Sequence, residues 1–199
     1  MKTNTIFLKF MLAVLFCFVL TSRVSAEEWD VMPTPSVYYF QDHLAEAQAW
    51  VVVKGGRILD GDWEKDHFSF AKEGEEANVS LIKKNDEAQN LEIRFNPVRG
   101  KLRVLRFEHV PPARNLILNY TVKAPARKEG VQLVYLKLRV RIGKKIFYET
   151  RIPNESVEKT EQIPLKLASF LGRHLKIAFE LYADNPEPIS FSFGATLER

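Results

Sequence analysis

The chain has 199 residues, 29 Lys or Arg against 25 Asp or Glu, a net charge of +4 and one cysteine. A lone thiol excludes an internal disulfide framework and a thiolate zinc site, and no nucleic-acid partner is expected. A chain of this size can hide roughly 70% of the surface its unfolded form exposes, enough for one domain held by burial alone.

Residues 1–26 have the organisation of a secretory signal peptide. Lys2 and Lys9 form a positive start, Phe10 to Leu20 is an uncharged apolar run, and Val24-Ser25-Ala26 is a small-residue cleavage site. The apolar run is far shorter than the roughly 20 residues a spanning helix needs. The reading is therefore a periplasmic or secreted protein, without membrane insertion after cleavage. Cleavage also removes Cys17, which follows Phe16 rather than the small residues of a lipoprotein leader. The mature chain keeps 173 residues and a net charge of +1, because Lys2, Lys9 and Arg23 leave with the leader.

Residues 27–49 read as an N-terminal extension or helix. Over Pro35 to Gln48, Thr34 suits a cap, Pro35 suits the first turn, and Val37, Phe40, Leu44 and Ala47 fall on one helical face. Residues 50–199 read as a β-sandwich domain. Trp50-Val51-Val52-Val53 opens it, with Trp50 expected in the core, and Lys54-Gly55-Gly56-Arg57 makes a turn. Asp60-Gly61-Asp62-Trp63-Glu64-Lys65-Asp66 reads as a loop. There Trp63 is the leading candidate for a ligand-binding aromatic, with capping of the sandwich as the alternative role. The carboxylates spaced by two, Asp60 and Asp62 foremost, are hard oxygen ligands suited to calcium; a solvated acidic loop is the competing reading.

Short β-branched or aromatic runs follow at Ala77–Lys83, Asn90–Phe95, Leu102–His109 and Leu116–Val122, separated by Asn, Asp and Pro turns. Val131 to Ile142 alternates strictly: Val134, Leu136, Leu138, Val140 and Ile142 share one face, and Tyr135, Lys137, Arg139 and Arg141 share the other. With Ile146 to Ile152 it forms a hairpin around Gly143. A two-residue turn sets Leu138 opposite Glu149, a three-residue turn sets Arg139 opposite Glu149, and a bulge near the turn would reconcile them. Glu161–Leu167, Leu175–Tyr182 and Ile189–Leu197 complete an all-β chain.

Charge is partitioned along this order. Residues 27–93 carry −9, residues 94–151 carry +12, and residues 152–199 carry −2. Either the basic middle forms a surface for an anionic polymer, or acidic strands of the first third lie beside it and neutralise it. Catalytic signatures are missing: there is no G-x-S-x-G, no H-E-x-x-H and no phosphate-cradling glycine loop. Asn78-Val79-Ser80, Asn119-Tyr120-Thr121 and Asn154-Glu155-Ser156 are glycan acceptor triplets if the chain passes through a eukaryotic secretory route.

Toward the C-terminus come the alternating hairpin, Ile163-Pro164-Leu165, Phe170-Leu171-Gly172, an apolar strand ending at Phe179, Asp184-Asn185-Pro186 and Phe191-Ser192-Phe193-Gly194. This order resembles the latter half of galactose-binding-domain-like jelly rolls, the fold of many carbohydrate-binding modules. The resemblance implies an antiparallel jelly-roll β-sandwich with ligands held by end loops or on a concave face. It also implies a structural calcium near the chain ends, for which Asp60, Asp62 and Glu198 are the ligand candidates; no other cofactor is expected. The functional expectation is an exported, non-catalytic module that binds carbohydrate or an anionic envelope polymer through Trp63, Tyr135, Lys137, Arg139 and Arg141. A structural or adaptor domain docking another envelope protein is the alternative, and a jelly-roll polysaccharide lyase or hydrolase the third.

Overall fold

The computed structural model describes residues 37–53, 55–70, 78–83, 91–124, 135–153, 155–165, 174–183 and 189–198. The leader, Asn154, the Phe170 and Asp184 segments and Val131 to Val134 lie outside them. Fourteen strands are named in chain order: β1 (Val37–Tyr39), β2 (Gln48–Val52), β3 (Ile58–Asp60), β4 (Asp62–Glu64), β5 (His67–Ser69), β6 (Val79–Lys83) and β7 (Leu91–Arg94) come first. Then follow β8 (Lys101–Val110), β9 (Asn115–Lys123), β10 (Tyr135–Ile142), β11 (Lys145–Pro153), β12 (Val157–Pro164), β13 (Leu175–Ala183) and β14 (Ser190–Glu198).

The strands form two antiparallel sheets. One runs β12-β9-β14-β7-β6-β5-β4, with β1 also on β14; the other runs β11-β10-β13-β8-β2-β3. From β7 onward the chain crosses between sheets at nearly every connection, so β14 inserts between β7 and β9 while β13 inserts between β8 and β10. That winding is a jelly roll, and the protein is an all-β sandwich.

Period-two alternation fills the space between the sheets. Leu136, Leu138 and Val140 of β10 face Leu116 and Leu118 of β9 across the core, and all are fully buried. Four phenylalanines form its centre: Phe179 packs edge-on against Phe40 and Phe107, with ring centroids 5.3 and 6.1 Å away, and lies 4.7 Å from Phe193. The same parity sends Arg103 of β8 inward. Its guanidinium lies over Phe70 and Phe95 and donates to the Asn96 carbonyl at 2.6 Å.

The short helix expected over Pro35–Gln48 is present as a 3-10 helix, Phe40–Glu46, whose dihedrals break at His43, and it is preceded by β1 rather than by a further helical turn. Val37-Tyr38-Tyr39 satisfies its backbone by pairing with Glu198, Leu197 and Thr196, a better exchange than starting a short isolated helix. Phe40 and Leu44 still turn to the core together, as their helical spacing required. Gln41 lies over Gly194 and donates to the Leu91 carbonyl, where β7 no longer runs along β14. Tyr38 stacks on His43 at 4.3 Å, and burial, helped by Glu46, pushes its phenol up to about 12. The sandwich thus includes β1 and the first two residues of β2, Gln48 and Ala49, which the sequence alone assigned to an extension or helix before it.

The hairpin resolves as a compromise. Ile142 pairs with Lys145 across a two-residue turn whose first residue, Gly143, has φ +58, and a bulge after Val140 then sets Arg139 opposite Glu149.

Candidate functional site

The outer face of the six-stranded sheet gathers four of the expected site residues. Tyr135, Lys137, Arg139 and Arg141 project from β10 opposite to its buried leucines. Register then defines their neighbours: Lys137 lies between Arg151 of β11 and Tyr182 of β13, and Arg139 lies between Glu149 and Glu180. Tyr135, at the start of β10, is 46% exposed, unusually open for a strand tyrosine.

Charges on this face are interlocked. Arg139 pairs through Nε with Glu149, and Lys137 Nζ stands 3.9 Å from the same carboxylate. Glu180, nearly buried, is shared by Arg141 Nε at 2.6 Å and Arg139 Nη1 at 3.9 Å. One strand further, Glu108 holds Lys176 at 2.9 Å and Arg106 at 3.1 Å. The basic middle of the chain is therefore met by carboxylates of its own neighbouring strands. β4 to β7, from the acidic first third, lie in the other sheet; only β2 and β3 reach this one.

Hydrogen bonding from Arg139 holds the Glu149 carboxyl below its usual range, and Lys176 does the same for Glu108. A carboxyl lowered in the folded state contributes stability above its unfolded value of about 4.5 and loses it as pH falls through the lower folded value. Stability should therefore decline on acidification below about pH 4.5. Glu149→Gln should flatten that decline in a pH series of urea denaturations, modestly, because the pair is solvent-exposed; an unchanged slope would count against this pairing.

Trp63 sits on a strand rather than in a loop. β3 ends at Asp60, Gly61 carries the chain into the other sheet, and Trp63 lies on β4 opposite Phe68 of β5. Its ring packs edge-on against Phe68 at 5.0 Å and half-buries against the core, the geometry of a capping residue. Asp60 and Asp62 end up in different sheets, while Glu198 closes β14 beside Val37 and Asn115. Alternation and the crossover spread them, and among the described residues no group of three or more acidic, His or Cys side chains could hold a metal ion.

Trp50 was expected in the core, yet Ala49 and Val51 take the buried positions and Trp50 faces outward. The Arg106 guanidinium lies over its indole at 5.0 Å and also donates to Gln48. Parity alone could not reveal this: in Gln48-Ala49-Trp50-Val51-Val52 either face is apolar enough, and only pairing with β8 selects between them. Trp50 pairs with Asp60 and Val104; two residues on, Val52 pairs with Ile58 and Leu102, and Ile58 is 54% exposed, so that end of the face is apolar.

Chemically, the face offers planar donors fixed by carboxylates, with two tyrosines at one end and an indole toward the other. The planar guanidinium forks of Arg139 and Arg141 offer paired N–H donors that can hold anions and hydroxyls. Among the described residues, no helix is long and apolar enough to cross a membrane.

No protein-family model matches the sequence, and no curated protein matches it either. Several solved structures are similar in fold at low identity. A family 35 carbohydrate binding module from Clostridium thermocellum is 10% identical, covering 82% of this chain and 99% of that one, with a TM-score of 0.37. The module TmCBM61, solved in complex with beta-1,4-galactotriose, is 14% identical over 63% of this chain and 85% of that one, with a TM-score of 0.38. A family GH115 4-O-methyl-alpha-glucuronidase with specificity for decorated arabinogalactans is 8% identical over 61% of this chain, with a TM-score of 0.35; the match spans only 16% of that enzyme.

Proposed function

We propose that this chain is an exported, non-catalytic binding module that recognises carbohydrate or another envelope polymer through the outer face of its six-stranded sheet. The observation that carries the reading is Tyr135, 46% exposed beside Lys137 and diagonal to Tyr182 on a rigid strand. A pyranose ring presents an apolar C–H surface that stacks on an aromatic face, and its hydroxyls suit planar donors and acceptors held in place beforehand. The leader-like residues 1–26 support export.

Affinity electrophoresis in polysaccharide-loaded gels tests this. Tyr135→Ala should weaken binding about tenfold, the scale of one interface aromatic, while the melting temperature stays close to that of the parent. No retardation of the parent protein across a broad polymer panel sinks the reading. A docking role for another envelope protein is the second reading, favoured by the apolar end of the face around Ile58 and Val52. It predicts that Ile58→Lys abolishes co-purification of a partner without altering retention in polysaccharide gels.

A further inference from the structure

The outer faces of β8, β10, β11 and β13 present six cations, Arg106, Lys137, Arg139, Arg141, Arg151 and Lys176, against three carboxylates, Glu108, Glu149 and Glu180. Each carboxylate is shared by two cations, with Arg139 serving both Glu149 and Glu180, so six positive charges face three negative ones on these strands. At the tyrosine end the arrangement opposes the fold's own interest. Lys137 stands directly opposite Arg151 in the register, and like charges facing each other across strands are destabilising. Local violations of this kind concentrate at functional positions. Tyr135 and Tyr182 flank that pair, bringing ring-stacking surfaces to a place where the carboxylate beside Lys137, Glu149, is already shared with Arg139.

We propose that the polymer this face takes is a polyuronate, a sugar chain bearing carboxylates. The inference rests on the carbohydrate reading above and narrows it. The ligand's carboxylate sits between Lys137 and Arg151, relieving their repulsion, while its ring lies on Tyr135. Guanidinium groups further along, at Arg139 and Arg141, have donors left for the next acidic groups, and their planar fork matches a carboxylate in bidentate fashion. Neutral glycans find the same tyrosine but leave the charge conflict in place. Polyphosphate and nucleic acid satisfy the charge without offering a pyranose to the tyrosines.

A matched pair of probes tests the inference with the full chain: a soluble glucan and the same glucan oxidised at C6 to carboxylates. The oxidised polymer should bind at least about tenfold more tightly at low salt, and its advantage should shrink as salt rises, because exposed charge contacts are screened. Lys137→Gln combined with Arg151→Gln should remove most of that advantage; both side chains are at the surface, so the fold should tolerate the change. Equal binding of the two glucans, insensitive to salt, overturns the inference and leaves the carbohydrate reading standing. Binding of neither glucan, nor of any other sugar polymer, overturns both. Polyphosphate or duplex DNA bound as tightly as the oxidised glucan shows that charge alone is recognised, and overturns the inference as well.

Discussion

Phe179→Ala should cost about 3–5 kcal/mol, the usual range for truncating a fully buried phenylalanine. Phe179 is completely inaccessible and joins both sheets to the 3-10 segment: Phe107 and Phe40 meet its edge, and Phe193 meets its tilted face from the opposite layer. Removing the ring takes away its own burial and also opens a space that three neighbouring aromatics, each fixed by a strand or by the segment entering the core, cannot close. For a domain of this size the loss corresponds to a fall in melting temperature of roughly 6–20 °C. Thermal denaturation followed by circular dichroism measures it. A shift of under about 2 °C would mean that the central aromatic cluster does not hold the sheets together.

Gly61→Val is the second large effect, about 3 kcal/mol, at the upper end of what overpacking costs. Gly61 is where the chain leaves one sheet for the other. Its amide donates to the Ala49 carbonyl at 2.8 Å, fixing the crossing against β2. A Cβ there would lie 2.7 Å from Phe70 Cζ and 2.8 Å from its Cε1, and Phe70 is itself buried beneath Arg103. The ring cannot retreat without disturbing that guanidinium. Gly61→Ala should cost less than Gly61→Val in the same direction, a graded series that chemical denaturation resolves. If both variants match the parent, the close approach of backbone to ring is not present in solution.

Register sets β10 between β11 and β13, so the ion pairs on their outer face are placed by backbone pairing. Preorganisation of this kind lowers the ordering cost of binding a flexible polymer.

Much of this was legible in the residues alone. Strict alternation in Leu136–Ile142, with apolar and basic side chains on opposite faces, determined both a half-buried strand and the common face of Tyr135, Lys137, Arg139 and Arg141, because the side-chain period of a strand is two. Turn residues separated the strands, and Gly143 permitted a turn whose first residue has positive φ. The choice of face for Trp50, the conversion of the Asp60–Asp66 segment into β3 and β4, and the shortening of the expected helix by β1 were decided only by tertiary pairing. In each case the local pattern allowed two outcomes of similar cost, and a distant strand supplied the hydrogen bonds or the packing that chose between them. Charge followed the same rule: composition established the basic middle of the chain, but which carboxylates meet it depends on β10 lying between β11 and β13, a neighbourhood created by jelly-roll winding over long sequence separation.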